Sequence, residues 1–266
     1  MGYGTDDGRV VRVPKHDEAE RSLRMEACVL PRIAGSLPLP VPLPLILESS
    51  EAGSRPVAVH ARIPGDELSR EAWEGLAPED RERLAAESAA FLRALHSLDF
   101  GPLLDCGVEV DDHADGVRDI QMRARAKLDA LLPAETATRV HAAFDRYLAG
   151  ALRTGRRALL HRDFGPSHVR FDPVTTRITG VIDFGDLAVG DPARDFMGIY
   201  EDWGPDFLAI VLRCYGLEAG EALMPRIRFH YLAGHVWWLL RMLENGAGGE
   251  ELREGIDGLC REVEAG

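Results

Sequence analysis

"ALLHRDFGPSHVRFDPVTTRITGVIDFGD", residues 158–186, decides how the rest of the chain is read. Three short apolar runs, "ALLH" (158–161), "HVRF" (168–171) and "ITGVIDF" (178–184), have the length and residue types of strands, and "DPVTT" (172–176) between the last two is turn chemistry. Each of two loops beside these strands carries an aspartate near its start. Asp163 sits in "HRDFGPSH" (161–168) and Asp183 in "IDFGD" (182–186), twenty residues further on. Taken singly, Asp163 could cap turn amides and Asp183 could be an ordinary strand-end carboxylate. Their order and spacing, and the strand–turn–strand between them, tie them into one constellation.

Around this stretch the chain changes character once. "RVVRVP" (9–14) alternates as a strand, and "DEAERSLRMEACVLPRIAG" (17–35) has helical spacing with Gly35 as its stop. Residues 37–49 hold too many prolines for a helix and predict an extended segment that becomes a strand at 45–48. "RPVAVHARI" (55–63) is a further strand, and "PGDELS" (64–69) reads as a connector. Beyond it the pattern is helical. Pro78 opens a helix with Leu84, Ser88, Phe91, Leu95 and Leu98 on one face, and two more follow at 116–132 and 134–153. After the short strands the chain is helical again from Phe196 to the end. A strand-rich small part to residue 63 and a helix-rich part over 64–266 is the expected division.

The net charge of −13 disfavours nucleic-acid and anionic-membrane partners. No run approaches the roughly eighteen apolar residues of a membrane span, and the N-terminus lacks the pattern of a secretory signal. Four scattered cysteines, Cys28, Cys106, Cys214 and Cys260, form no C-x-x-C pair. We therefore expect no disulfide framework, no zinc site and a reducing cytoplasm.

Phosphoryl transfer from a nucleoside triphosphate needs one carboxylate near the acceptor hydroxyl and hard oxygen ligands for Mg²⁺. Asp163 suits the first task and Asp183, after the apolar "GVI", the second. The stretch 157–196, closed by "DPARDF", resembles the core of the aminoglycoside phosphotransferase family. Residues 10–44 and the late segments "YEDWGPDF" and "GHVWWLLRMLENG" are similar to the 2''-phosphotransferases of that family.

The resemblance implies an α+β, two-lobed protein-kinase-like fold with a small, shortened β-rich lobe and a large helical lobe. It makes Asp163 the catalytic carboxylate and Asp183 the principal metal ligand. His168 falls where Asn usually gives the second metal contact, and some members carry His there; Mn²⁺ then becomes an alternative to Mg²⁺. Arg12 would hold the phosphates of ATP or GTP with Glu26 as its partner, and Val59, His60 and Ala61 would form the hinge facing the base. A cationic acceptor wants carboxylates, for which Asp186, Glu201, Asp202 and Glu244 are candidates, with Trp237 and Trp238 as an apolar wall. His161 and Arg162 would support the loop, and Asp191 and Asp195 would brace it.

The implied activity is phosphorylation of an aminoglycoside by a monomeric resistance enzyme. Other acceptors (a macrolide, a hygromycin-like compound, an amino alcohol) and a nucleotide binder that has lost catalysis are the rivals. The last draws on the N-terminus: only eleven residues precede Arg12, so "MGYGTDDG" supplies at most one short strand and a turn. Either translation starts further upstream, or the lid over the nucleotide is abbreviated.

Overall fold

The computed structural model describes residues 2–5, 7–49, 54–111, 114–152, 155–216, 223–246 and 248–265. They divide into two compact units, Met1–Asp111 with Arg156–Glu218, and Asp112–Gly155 with Ala219–Gly266. The strand-rich segment to residue 63 lies inside the first unit.

That unit opens with β1 (Gly2–Gly4) and β2 (Arg9–Arg12), followed by helix α1 (Asp17–Ile33). His16 caps α1 by accepting the Ala19 N–H, and Asp17, Glu18 and Glu20 in the first turn suit the positive end of its dipole. Leu23, Met25, Val29, Leu30 and Ile33 form its buried stripe. β3 (Leu45–Leu47) and β4 (Val57–Ala61) complete an antiparallel sheet in the order β1-β2-β4-β3. Arg12 lies opposite Ala58, and Val10 opposite His60.

The expected connector holds a strand of its own, β5 (Asp66–Glu67), and ends on Ser69, the cap of a short helix, α2 (Arg70–Glu74). Helix α3 (Pro78–His96) starts on Pro78 and buries Leu84, Ser88, Phe91 and Leu95, as its periodicity predicts. A 3₁₀ turn, Gly101–Cys106, leads into β6 (Glu109–Val110).

The chain then enters the second unit with α4 (Ala114–Lys127) and α5 (Ala134–Leu148). Both end short of the ranges expected for them. It returns to the first unit with β7 (Ala158–Leu160), β8 (Val169–Asp172), β9 (Arg177–Val181) and β10 (Ala188–Gly190). β8 and β9 form the expected hairpin, which β5 extends. β10 pairs with β7 on one side and with β6 on the other. Helix α6 (Ala193–Gly198), a π-helical turn (Ile199–Trp203) and α7 (Gly204–Tyr215) follow.

The second unit closes with α8 (Leu223–Glu244) and α9 (Glu250–Ala265). Its core is one cluster in which Tyr147 stacks on Phe229 at 4.2 Å, with Phe144, Val236, Leu239 and Leu259 fully or almost fully buried around them.

The cysteines depart from the expectation. Cys28 and Cys106 are joined by a disulfide, their Cα atoms 5.6 Å apart, whereas Cys214 and Cys260 are free. A pair 78 residues apart leaves no local pattern to read, because the tertiary fold alone brings α1 against the 3₁₀ turn.

Candidate active site

Phe91 of α3 anchors both loops. Its ring lies 5.8 Å from that of Phe164, beside Asp163, and 6.4 Å from that of Phe184, beside Asp183. All three rings are fully or almost fully buried, so each aspartate is the exposed neighbour of a core phenylalanine. "DF" in both loops is thus the local device that places a carboxylate at the edge of an apolar core.

The loop after β7 is shaped by Asp195. Its carboxylate accepts the His161 N–H at 2.9 Å and the Arg162 N–H at 2.7 Å, and it meets His96 Nε2 at 2.9 Å. Burial pushes Asp195 upward, but the hydrogen bonds from His96 and from the His161 backbone, with the electrostatic pull of the adjacent imidazoles, outweigh it and hold it below the usual carboxylate range. Those amides fix the turn in which Arg162 adopts φ 70°. Asp111 reinforces it, 2.9 Å from Arg194 and 3.6 Å from Arg162. His161 is completely buried, its Nε2–H donating to the Ile182 carbonyl at 3.0 Å and its Nδ1 accepting the Asp163 N–H at 3.3 Å. Burial keeps it neutral by lowering its pKa. His161 therefore links the two loops through their backbones.

On the exposed side, Asp163 and Asp183 flank His168. The imidazole donates its Nδ1–H to the Asp163 carbonyl at 2.7 Å, and Nδ1 is 3.4 Å from the Asp163 carboxylate. In the neutral ring this leaves the lone pair on Nε2, 3.7 Å from Oδ2 of Asp183. Asp183 is itself in the left-handed region, at φ 62°. Arg12 reaches over from β2 to Oδ1 of Asp183 at 3.3 Å while gripping both oxygens of Glu26 at 2.7 and 2.6 Å. Glu26 is wholly buried, and burial raises its pKa although the Arg12 charge opposes the rise. Ser22, one turn earlier on α1, donates to the Gly185 carbonyl at 2.6 Å, and a Cβ on Gly185 would come within 2.9 Å of that hydroxyl.

Two acceptor atoms facing each other, a carboxylate oxygen and an imidazole nitrogen, are a donor set that fits a divalent cation whose other ligands are phosphate oxygens and water. Among the described residues no group of three or more His, Cys, Asp or Glu side chains forms a complete metal site.

Beside Asp163 lie Glu201 and Asp202 of the π-helical turn. Crowding by protein atoms raises both pKa values; the Asp202 and Asp163 charges raise Glu201 further, and the Asp163 charge raises Asp202 while His168 opposes that rise. A Cβ on Gly165 would stand 2.8 Å from Oδ2 of Asp202, so a side chain at residue 165 would push that carboxylate aside. Asp186 is exposed on the Asp183 loop. Val59, His60 and Ala61 end β4 opposite β2, with His60 Nδ1 2.9 Å from the Ala61 carbonyl.

The remaining expected residues belong to the second unit. Glu244 is paired with Arg123 and Lys127, each at 2.8 Å, and these partners lower its pKa. Trp237 and Trp238 are 46% and 41% exposed on α8, and Arg241 lies over the Trp237 ring. A cavity of about 670 Å³ between α5, α8 and α9, rimmed by Arg139, Arg146 and Arg228, is lined by none of the expected residues. Sequence reasoning missed His96 and Ser22. His96 directly follows Leu95 of the buried α3 stripe, and a histidine abutting an apolar face is the signal that was there to be read.

Residues 3–230 match the family described as "Phosphotransferase enzyme family". A viomycin phosphotransferase of Streptomyces vinaceus is 29% identical over 219 residues, covering 78% of this chain and 72% of its own. An aminoglycoside 3'-phosphotransferase of Streptomyces fradiae is 30% identical over 191 residues, covering 66% and 67%. Among solved structures, the GDP and kanamycin complex of an aminoglycoside 2''-phosphotransferase superposes with a TM-score of 0.89 at 22% identity, over 98% of this chain and 88% of that one. Fold and loops define a small-molecule O-phosphotransferase of kinase-like architecture. The chain belongs to the aminoglycoside phosphotransferase family.

Proposed function

We propose that this chain transfers the terminal phosphoryl group of ATP or GTP to a hydroxyl of a cationic aminoglycoside, and so inactivates the antibiotic as a cytoplasmic monomer. The observation that carries this reading is the clustering of Asp163, His168 and Asp183, with the Arg12–Glu26 pair joined to it at Asp183. Residues up to 63 hold the nucleotide and those beyond carry the acceptor, with Val59, His60 and Ala61 meeting the base. Arg12, kept in place by Glu26, binds the phosphates. Asp183 and His168 hold Mg²⁺ or Mn²⁺, and the chemistry that ion supplies when bound is neutralisation of phosphate charge. Asp163 orients the acceptor hydroxyl and takes its proton. Glu201 and Asp202 receive ammonium groups next to that hydroxyl, and Asp186 adds a carboxylate from the metal loop. Trp237 and Trp238, exposed on α8, are the apolar candidates that the second unit carries. Glu244 is the weakest candidate, because two cations already neutralise it.

A second acceptor is favoured by one observation: the viomycin phosphotransferase matches a larger share of this chain than the aminoglycoside enzyme does. The test is nucleoside diphosphate release with ATP and GTP, with Mg²⁺ and Mn²⁺, against kanamycin, other aminoglycosides, viomycin and a macrolide. Turnover with an aminoglycoside that falls about a thousandfold in Asp163→Asn, at unchanged nucleotide affinity, is the expected result. Turnover with viomycin alone replaces the acceptor. Silence with every pair, in a protein that still binds nucleotide, leaves a binding module.

A further inference from the structure

The Cys28–Cys106 disulfide takes no part in the chemistry above, yet it joins two elements on which that chemistry depends. Cys28 is two residues past Glu26 on α1, about 200° round the helix. Glu26 therefore faces Arg12 from one side of α1 while the bridge holds the other side. Cys106 ends the 3₁₀ turn, and the chain runs on through buried Val108 into β6. β6 pairs with β10, and β10 pairs with β7, whose last residue precedes His161. The bridge thus ties the helix carrying Glu26 to the sheet from which the Asp163 loop departs. The polar contact that accompanies it, Arg32 to the Pro102 carbonyl at 3.2 Å, is exposed to solvent.

Both cysteines are half-buried, each keeping part of its surface exposed. A chain working in a reducing compartment meets a thiol pool that can open such a bridge. We propose that Cys28–Cys106 is a thiol–disulfide exchange site, and that its state sets how firmly α1 presents Glu26, and through it Arg12, to the nucleotide. The inference rests on reading Arg12 and Glu26 as the phosphate-holding pair.

In closure, the thiolate of one cysteine attacks a sulfur of a small disulfide and expels one thiolate, leaving a mixed disulfide on the protein. The second cysteine, as thiolate, attacks the protein-side sulfur and expels the other. The pair loses two electrons and two protons, and the small disulfide leaves as two thiols. Opening is the reverse, with two equivalents of the small thiol consumed.

The test equilibrates the full chain in glutathione buffers of graded ratio, counts free thiols by intact mass after alkylation, and measures Kd for ADP and GDP with Mg²⁺. Hydrogen exchange of the α1 amides is followed in parallel. Reduction is expected to weaken nucleotide binding about tenfold and to speed exchange in α1. Cys28→Ser and Cys106→Ser should match the reduced protein at every ratio, and Cys214→Ser should respond as the wild type does. If the serine variants do not fold, reduction of the wild-type protein carries the comparison. Equal α1 exchange in the two states, equal Kd, or a mass showing four free thiols at every ratio overturns the proposal. A protein that binds neither nucleotide in either state overturns instead the reading of Arg12 and Glu26, while the α1 exchange still reports whether the bridge restrains the helix.

Discussion

At the scale of single residues, the site is organised by a carboxylate that points away from the expected chemistry. Asp195 is buried and divides its two oxygens among two backbone amides and an imidazole. An asparagine there has one acceptor oxygen and an NH₂ that would face either an amide N–H or His96. Asp195→Asn should therefore cost about 3 kcal/mol, read as a lowered urea midpoint at unchanged m. The pH dependence has a definite sign. The native value is depressed, so the contribution of Asp195 is complete above the unfolded value of about 3.9 and is lost as pH falls through the native one. The acid limb of stability against pH should be shallower in Asp195→Asn. Equal acid limbs in the two proteins would show that the depressed value does not contribute.

At the scale of elements, the π-helical turn and the Asp163 loop meet where Gly165 lies beside Asp202. Gly165→Ala places a Cβ 2.8 Å from a carboxylate oxygen, and the carboxylate is the part able to move. The expected outcome is a KM for the cationic acceptor raised about tenfold, with the nucleotide KM unchanged. If both constants rise together, the substitution has instead distorted the loop. Glu201 and Asp202 add a pH prediction. Their pKa values are raised, so they protonate at a higher pH than ordinary carboxylates. Folding loses some stability to these charges at neutral pH and regains it as pH falls through the raised values. Acceptor affinity moves the other way: KM should climb on acidification before ordinary carboxylates titrate, and Asp202→Asn should flatten that climb.

Which elements were legible follows from their length. The β8–β9 hairpin and α3 announce themselves because four or five alternating residues, or nineteen at helical spacing, outvote local accidents. β5, β6 and β10 are two or three residues long and exist only because a partner strand lies alongside; no periodicity fits in so few positions. The candidate site was legible at Asp163 and Asp183, each followed by a phenylalanine and both beside His168. Contacts made by distant segments, such as Ser22 on Gly185 or Cys28 on Cys106, were not.

For the molecule as a whole, the division into two units gives nucleotide binding a separable signature. Arg12, Glu26, His168 and Asp183 all belong to the first unit. The four tryptophans are shared evenly, with Trp73 and Trp203 buried in the first unit and Trp237 and Trp238 exposed in the second. A protein carrying Trp237→Phe and Trp238→Phe reports by fluorescence on the first unit alone. With Mg²⁺ and nucleoside diphosphate at about a hundred times Kd, mass action adds about 2.7 kcal/mol to the state that binds. For a unit of this size that is a rise of about 5–10 °C in the Tm seen by Trp73 and Trp203. Asp183→Ala, which removes a proposed ion ligand and leaves Arg12 with Glu26, should lose most of the rise with Mg²⁺ present. Without the metal, the substitution should change little. A rise of equal size in Asp183→Ala and wild type, with and without Mg²⁺, would mean that the nucleotide is held without an ion at Asp183, and the metal role assigned to Asp183 and His168 would fall.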